Sequence, residues 1–192
     1  MKDLCIMKYE VTRKEVTISA DEFINRYRDV ERFDALCRQC PGYGKAWNCP
    51  PFDFDPKTLS EGFKSVTVIG TTIEFDEETR AACLTPEQSS RTGREAMHQV
   101  WASWLPELYE RERQVPGSRC FTFRCELCPE GCTRPEVKPC RHPEKMRHSL
   151  EAVGFDVVAI TRYLLGIELE WSTDGSLPKH LTLVTALFVA SR

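Results

Sequence analysis

Long hydrophobic runs and the common catalytic motifs are both missing from this sequence. The longest apolar stretch, around Leu181 to Ala190, is only as long as a strand, whereas a membrane-spanning helix needs about 20 apolar residues. The sequence contains no Gly-x-Gly-x-x-Gly, no Walker loop, no Gly-x-Ser-x-Gly and no His-Glu-x-x-His. It therefore gives no indication of a membrane protein, or of the nucleotide-binding, hydrolase and zinc-protease classes that carry these motifs.

A secretory signal is also absent from the first residues. Residues 1–6 include neither an extended apolar segment nor a small-residue cleavage site. We therefore expect a cytoplasmic protein with reduced thiols and no membrane association. In that compartment, ten cysteines in a chain of 192 residues favour metal ligation over disulfides, which are typical of small secreted proteins. The length suits a single domain over residues 1–192.

Seven of the ten cysteines lie in two short loops rich in proline. The first loop, at about residues 37–56, holds three of them, and the second, at about residues 119–148, holds four. These cysteines are Cys37, Cys40 and Cys49 in the first loop, and Cys125, Cys128, Cys132 and Cys140 in the second. Spacing this close brings several thiolates within reach of one soft metal centre. We therefore predict that all seven cysteines bind a metal cofactor and that the two loops meet in space.

The spacing favours iron–sulfur clusters over zinc. The second loop has enough thiolates for a complete [4Fe–4S] site, and its gaps of two, three and seven residues suit a loop that wraps around a cluster. Zinc ribbons instead use two Cys-x-x-Cys pairs. A single zinc shared by the Cys-x-x-Cys pairs of the two loops would leave three of the seven cysteines without a role. The prediction is one or two iron–sulfur clusters of the [4Fe–4S] type, with zinc as the alternative.

The first loop offers only three thiolates, so its fourth ligand is open. The candidates are a distant cysteine, a histidine or an exchangeable small molecule. The distant cysteines are Cys5, Cys83 and Cys120, for which a buried free thiol is the simpler interpretation. Near the loops, His142 is either a ligand or proton carrier, or an exposed side chain. Trp47 and Tyr43 either shield a metal centre from water or form the small core of their own loop.

The ligand count and the missing substrate-binding motifs lead to three functional hypotheses. The first is a redox protein that transfers electrons to or from a partner protein. The second is a structural zinc protein that serves as an interaction module. The third is an enzyme in which an open iron at the three-cysteine loop binds a small molecule. No catalytic residue is assigned, and whether the protein is an enzyme stays open.

The charge distribution bears on the choice of partner. Residues 119–148 carry seven Lys or Arg against four Glu. Cationic side chains near thiolates lower their pKa and offset the negative charge of a metal–thiolate centre. The chain as a whole nevertheless has a net charge of −3, so nucleic acid is not expected as a partner.

Helix and strand patterns are interspersed without a regular βαβ repeat, so we predict an α+β fold with a mainly antiparallel sheet and flanking helices. Strands are predicted at residues 15–18, 65–75, 155–160, 167–171 and 181–189. Helices are predicted from Ala20 into the first loop, from Pro86 onward, and after Pro143 with Gly154 as the stop. The second of these helices begins with a capping box, and Pro106 is expected to kink or interrupt it.

Both cysteine loops resemble the motifs of a known family. Cys37 through Pro51 has the form Cys-x-x-Cys-Pro-x-Tyr-x-x-x-Trp-x-Cys-Pro-Pro. It is similar to the first motif of an uncharacterised bacterial and archaeal family of predicted metal-binding proteins, a domain of unknown function. Cys-Arg-His-Pro at residues 140–143 and the segment 149–157 are similar to the second motif of that family. The resemblance extends over most of the chain, and it implies metal binding through these cysteines but no established reaction.

Overall fold

A computed structural model describes residues 7–190. Within this range, a sheet of four strands forms the centre of the fold. The strands are β1 (Tyr9–Ser19), β2 (Phe63–Phe75), β3 (Arg119–Phe121) and β4 (His180–Ala190). They lie in the order β1-β2-β4-β3, and every neighbouring pair is antiparallel. The predicted α+β fold with an antiparallel sheet is confirmed.

Helices of very different length connect and cover these strands. The α-helices of residues 7–190 are α1 (Ala20–Tyr27), α2 (Val30–Cys37), α3 (Glu77–Ala82), α4 (Pro86–Gln114) and α5 (Val157–Ala159). Short 3-10 helices occur at Pro56–Ser60, Arg134–Glu136 and Glu151–Val153, and a π-helix follows α5 at Ile160–Leu165. The longest helix, α4, begins with the predicted capping box, in which Thr85 and Gln88 bond reciprocally. In the part of the chain that the structure describes, no helix combines the length and apolar character needed to cross a bilayer.

Both faces of the sheet are buried because β2 carries apolar side chains on each. Val66 and Val68 contribute to the core on one face, and Ile69 and Ile73 to the core on the other, as the two-residue period of a strand requires. The first face packs against α1 and the segment 150–167, whereas the second packs against α4. The fold therefore has three layers with the sheet in the middle.

The predicted strands at residues 155–160 and 167–171 are wrong. Residues 157–165 form α5 and the π-helix, and residues 167–171 have no regular structure. The helical segment begins at Asp156, whose carboxylate accepts a hydrogen bond from the Ala159 amide at 2.9 Å. Periodicity alone cannot assign a short apolar run to a strand or a helix, and this run is buried against the sheet as a helix.

The predicted helix between Pro143 and Gly154 is also wrong. Only the 3-10 turn Glu151–Val153 forms there, and Gly154 ends it with a φ of +95°. A Cβ on Gly154 would lie 2.7 Å from the Cα of Val30, so the chain passes very close to the start of α2. Before this turn, the Arg147 side chain binds Glu112 of α4, and the carbonyls of Arg147 and His148 accept from Thr122 at the end of β3.

Two further helix boundaries differ from the prediction. The helix that was expected from Ala20 into the first loop is divided before Asp29, whose side chain caps α2. Conversely, α4 continues through Pro106, so the predicted interruption does not occur. Trp104 and Leu108 on either side of this proline are fully buried, and their packing on the sheet holds the two halves of α4 in one helix.

Candidate metal centre

The second cysteine loop surrounds a cavity of about 350 Å³. All four cysteines of the loop line this space. They are Cys125, Cys128, Cys132 and Cys140, and each is half-buried. His98 of α4 and Trp47 of the first loop form another part of the wall. The fold therefore brings the four predicted ligands of this loop to one space, which we call the cysteine cavity.

The thiols of the second loop influence one another electrostatically. Burial raises the pKa of the Cys125 thiol, and a hydrogen bond from the Leu127 amide opposes this effect. Negative charge on Cys140, Cys128 or Cys132 raises the pKa of Cys125 further. Thiolates grouped in this way repel one another, so the group favours a cation that neutralises them and displaces the thiol protons.

The three cysteines of the first loop also lie together. Cys37 is the last residue of α2, and the Cys40 amide donates to the Cys37 carbonyl at 2.9 Å in the turn that follows. Burial raises the pKa of Cys37 to about 11, with smaller contributions from the charges of Cys49 and Cys40. Burial raises the pKa of Cys49 as well, and negative charge on Cys125 of the second loop contributes to this increase. The first loop thus presents three thiols beside those of the second loop.

One arginine and one tryptophan hold the two loops together. The Arg134 guanidinium donates to three carbonyls of the first loop, those of Ala46, Cys49 and Pro51. The guanidinium lies over the Trp47 ring, 5.1 Å from its centroid. The Trp47 Nε1 in turn donates to the Lys138 carbonyl at 3.1 Å. The loops therefore meet in space, as the sequence predicted, and Trp47 takes part in the contact between them.

Helix α4 holds the second loop near both of its ends. Near the start of the loop, the Nδ1 of His98 lies 2.9 Å from the Glu126 carboxylate. Near the end, the Arg147 guanidinium pairs with the Glu112 carboxylate at 2.8 Å, and these side chains are only 21% and 11% exposed. Since α4 is packed on the sheet, these contacts fix the cysteine cavity to the rigid part of the fold.

Hydrogen-bond donors lie against the sulfur atoms of the second loop. The His142 amide donates to the Sγ of Cys140 at 3.4 Å. A hydrogen bond to Cys128 raises the pKa of Arg141. Donors of this kind favour the thiolate form that binds metals, and they adjust the reduction potential of a cluster. His142 therefore contacts the site through its backbone amide, whereas its ring does not line the cysteine cavity.

The sulfur atoms share a space but do not converge on one point. Within residues 7–190, no three His, Cys, Asp or Glu side chains are close enough together to hold a metal ion in this arrangement. The chemistry of the donor set nonetheless fits a soft metal, because four thiols line the same cavity. The seven cysteines therefore remain predicted ligands.

The remaining cysteines lie elsewhere in the fold. Cys120 is buried in β3, where its thiol donates to the Glu112 carboxylate at 3.4 Å. The Cys83 thiol lies 3.4 Å from the Thr92 hydroxyl. Neither lines the cysteine cavity, and all nine cysteines in the described range are free thiols. Cys5, the other candidate for a fourth ligand, lies outside the described residues.

Two residues near the loops were not found from the sequence. His148 is buried, with Phe52 and Phe54 of the first loop edge-on to its ring at 5.1 and 6.0 Å. Burial, followed by the charges of Arg119 and Arg147, lowers the pKa of His148 to about 4. In its ionised form, Glu151 raises the pKa of Cys37, a smaller effect than that of burial. His148 ends the second loop and Glu151 lies in the segment 149–157 of the second family motif, but nothing in the sequence indicated that these two side chains are buried beside the first loop.

Comparison with known proteins agrees with the chemistry of the loops. A family model described as "Predicted metal-binding protein (DUF2284)" matches residues 24–189, which include both cysteine loops. No curated protein and no solved structure matches the chain.

Proposed function

The chain belongs to the family of predicted metal-binding proteins, and from this we propose that it is an iron–sulfur protein that transfers electrons. The observation that carries the proposal is that four cysteines of one loop line one cavity. Four thiolates are the usual ligand set of a [4Fe–4S] cluster, whose irons accept ligands from an irregular loop.

The surroundings of the cavity are compatible with a redox role. Arg124 and Arg141 lie beside the cysteines, and their side chains are 50% and 40% exposed. These cations offset the negative charge of a thiolate-bound cluster and raise its reduction potential. They also favour a partner protein with an acidic surface, because complementary charges accelerate association. A cluster held here would lie near the surface, within reach of such a partner.

The first experiment measures iron, zinc and acid-labile sulfide per chain in protein purified without oxygen. Iron and sulfide in about equal amounts support the proposal, and about eight of each per chain correspond to two [4Fe–4S] clusters. About one zinc per chain without sulfide would reject an iron–sulfur cluster. A Cys120→Ser variant is the matched control, because this cysteine is buried in β3 and does not line the cysteine cavity, so its loss should leave the metal content unchanged.

A structural zinc site is the second candidate, and the contact between the loops favours it. Arg134 and Trp47 bring the loops together, so one ion could join Cys-x-x-Cys pairs from both. Variants Cys40→Ser and Cys128→Ser distinguish a shared site from separate ones. Loss of all metal from each variant indicates one shared site, whereas loss of about half from each indicates two.

An enzyme with an open iron is the third candidate, since the first loop provides three neighbouring thiols. An exchangeable fourth ligand on an iron held by Cys37, Cys40 and Cys49 would support it. Addition of cyanide to the reconstituted protein, followed by electron paramagnetic resonance, tests for such a position. An unchanged spectrum would indicate that protein side chains complete the coordination at both loops.

A further inference from the structure

A second and larger cavity lies between α4 and the segment that leads into β4. Its volume is about 570 Å³, within the range of small-molecule sites. Apolar side chains make up most of its lining, namely Met97, Phe123, Val157, Leu169, Leu177 and Leu181. Glu151 lies in the wall of this cavity. In its ionised form it also raises the pKa of Cys37 in the first loop. We call this space the α4 cavity.

A cation at the edge of the α4 cavity has no carboxylate partner among residues 7–190. Arg94 is exposed and its guanidinium donates to the Ser90 hydroxyl one turn earlier on α4. By contrast, Arg111 and Arg113 farther along the helix are both paired with glutamates. An unpaired guanidinium beside an apolar space is the arrangement that binds a carboxylate attached to an apolar body.

The two carboxyl groups in the cavity lining, those of Glu151 and Glu170, do not prevent an anion from pairing with Arg94. Glu170 is already bound, because it accepts from the Lys179 amide at 2.8 Å and its carboxylate lies 3.3 Å from the Nδ1 of His180. Glu151 lies within the fold but is partly accessible, as expected for a group in a cavity wall. Burial raises its pKa, which favours the neutral carboxyl and weakens its repulsion of an anion.

The polar groups of the wall are not all satisfied by the protein. The side-chain oxygens of Ser89 and Thr182 are buried and have no hydrogen-bond partner among the described residues. Both residues line the α4 cavity, and Ser89 is only 5% exposed. Buried hydroxyls normally have a partner, but oxygens as inaccessible as these do not face the open space of the cavity and make no contact with a molecule inside it.

We propose that the α4 cavity binds a small organic carboxylate with an apolar chain or ring, whose carboxylate pairs with Arg94. The apolar body fills the space between Met97, Phe123 and Leu181. This site is separate from the cysteine cavity, and the proposal does not depend on which metal the cysteines hold.

Octanoate is a suitable probe, and octanol is its uncharged counterpart. Calorimetric titration of the full-length protein should give saturable binding of octanoate and weaker binding of octanol. Arg94→Gln should weaken octanoate binding about tenfold, since a hydrogen bond to a charged group is lost, and Arg94→Lys should restore part of it. Arg91→Gln is the matched control, because Arg91 is an exposed arginine of the same helix outside the cavity. It should leave the affinity within about twofold.

Methionine methyl resonances identify the cavity that is occupied. Met97 lines the α4 cavity, whereas Met146 lines the cysteine cavity. Octanoate should shift the Met97 methyl signal and leave that of Met146 in place. No saturable binding, equal affinities for octanoate and octanol, equal effects of Arg94→Gln and Arg91→Gln, or a shift of Met146 instead of Met97 would each overturn the proposal. Metal and sulfide content, measured on the same protein, tests the iron–sulfur proposal independently.

Discussion

Arg134 lies half-buried between the two cysteine loops and binds the first loop through three of its carbonyls. Carbonyls in an irregular loop have no helix or strand partner, so a planar guanidinium with several donors is well suited to hold them. The charge of Arg134 also lowers the pKa of Cys49, although burial has the larger, opposite effect. A side chain that is not a ligand therefore positions one predicted ligand and favours its thiolate.

Arg134→Ala should destabilise the contact between the loops. We expect a loss of about 2 kcal/mol in the free energy of unfolding, because charged hydrogen bonds to buried carbonyls are removed. Metal content should fall as well, since the first loop no longer lies against the second. Lys138→Ala is the control, because the Lys138 ammonium is exposed and, within residues 7–190, pairs only with Glu136, at 2.7 Å. Urea unfolding measures both variants, and equal stabilities would contradict the role of Arg134.

His148 should make the stability depend on pH between about 4 and 6.5. Its folded pKa lies below its ordinary value, so the unfolded chain binds the extra proton in this range and the folded protein loses stability as the pH falls. Above pH 6.5 the contribution is complete, and the full effect is at most about 3 kcal/mol.

Urea unfolding at several pH values tests this dependence. His148→Gln should remove most of the slope between pH 4 and pH 6.5. If wild type and His148→Gln share the same slope, His148 does not titrate as its burial requires.

The seven cysteines could be predicted as ligands from the sequence because metal ligands are closely spaced along a loop or presented in pairs. The residues that surround these cysteines could not be predicted in this way. Arg134 is more than 80 positions away from the carbonyls that it binds, and Phe52 meets His148 across a similar separation. Contacts of this kind depend on how the whole chain folds, so neither composition nor spacing records them.

At the scale of secondary-structure elements, the turn at Gly154 connects the two halves of the site. The Asp29 amide at the start of α2 donates to the Gly154 carbonyl at 2.7 Å, and the Asp156 amide donates to the Tyr27 carbonyl at 2.8 Å. Helix α2 ends at Cys37, so this turn fixes the element that carries the first predicted ligand. The close approach leaves no room for a side chain at Gly154.

Gly154→Ala should therefore destabilise the protein by about 2 kcal/mol or more, through its positive φ and through a clash with Val30. Gly131→Ala is the matched control. Gly131 has a similar φ of +94°, but a Cβ there would meet no atom within 4 Å. It should cost about 1 kcal/mol, from the backbone conformation alone. Thermal unfolding compares the two, and equal losses would show that the close approach to Val30 is relaxed in solution.

Helices and strands with a strong local sequence pattern were predicted correctly. Segments whose structure depends on packing against the sheet were not. β2 is rich in β-branched residues, and α4 begins with a capping box followed by a long apolar stripe, so each could be recognised alone. Residues 157–165 offered only a short apolar run. Their helical form depends on packing against the sheet, beside Phe23 and Phe188, which no local pattern describes.

At the scale of the whole molecule, the two cores and the cysteine loops are stabilised by different kinds of interaction. The cores on the two faces of the sheet are made of fully buried apolar side chains. The loops between residues 37–56 and 123–146 contain little regular structure and rest on a few polar contacts. Stability should therefore be uneven, with the loops opening at a lower free energy than the sheet.

Removal of the metal should release the loops and leave the sheet intact. A ligand that binds only the folded state stabilises it, so chelation should lower the melting temperature. Hydrogen exchange should accelerate first at residues 37–56 and 123–146, while the amides of β2 and β4 stay protected because neither core includes any of the seven predicted ligands. In the Cys128→Ser variant without chelator, the amides of residues 123–146 should already exchange faster than in the wild-type protein. Equal loss of protection in β2 and in the loops would show instead that the metal holds the entire fold together.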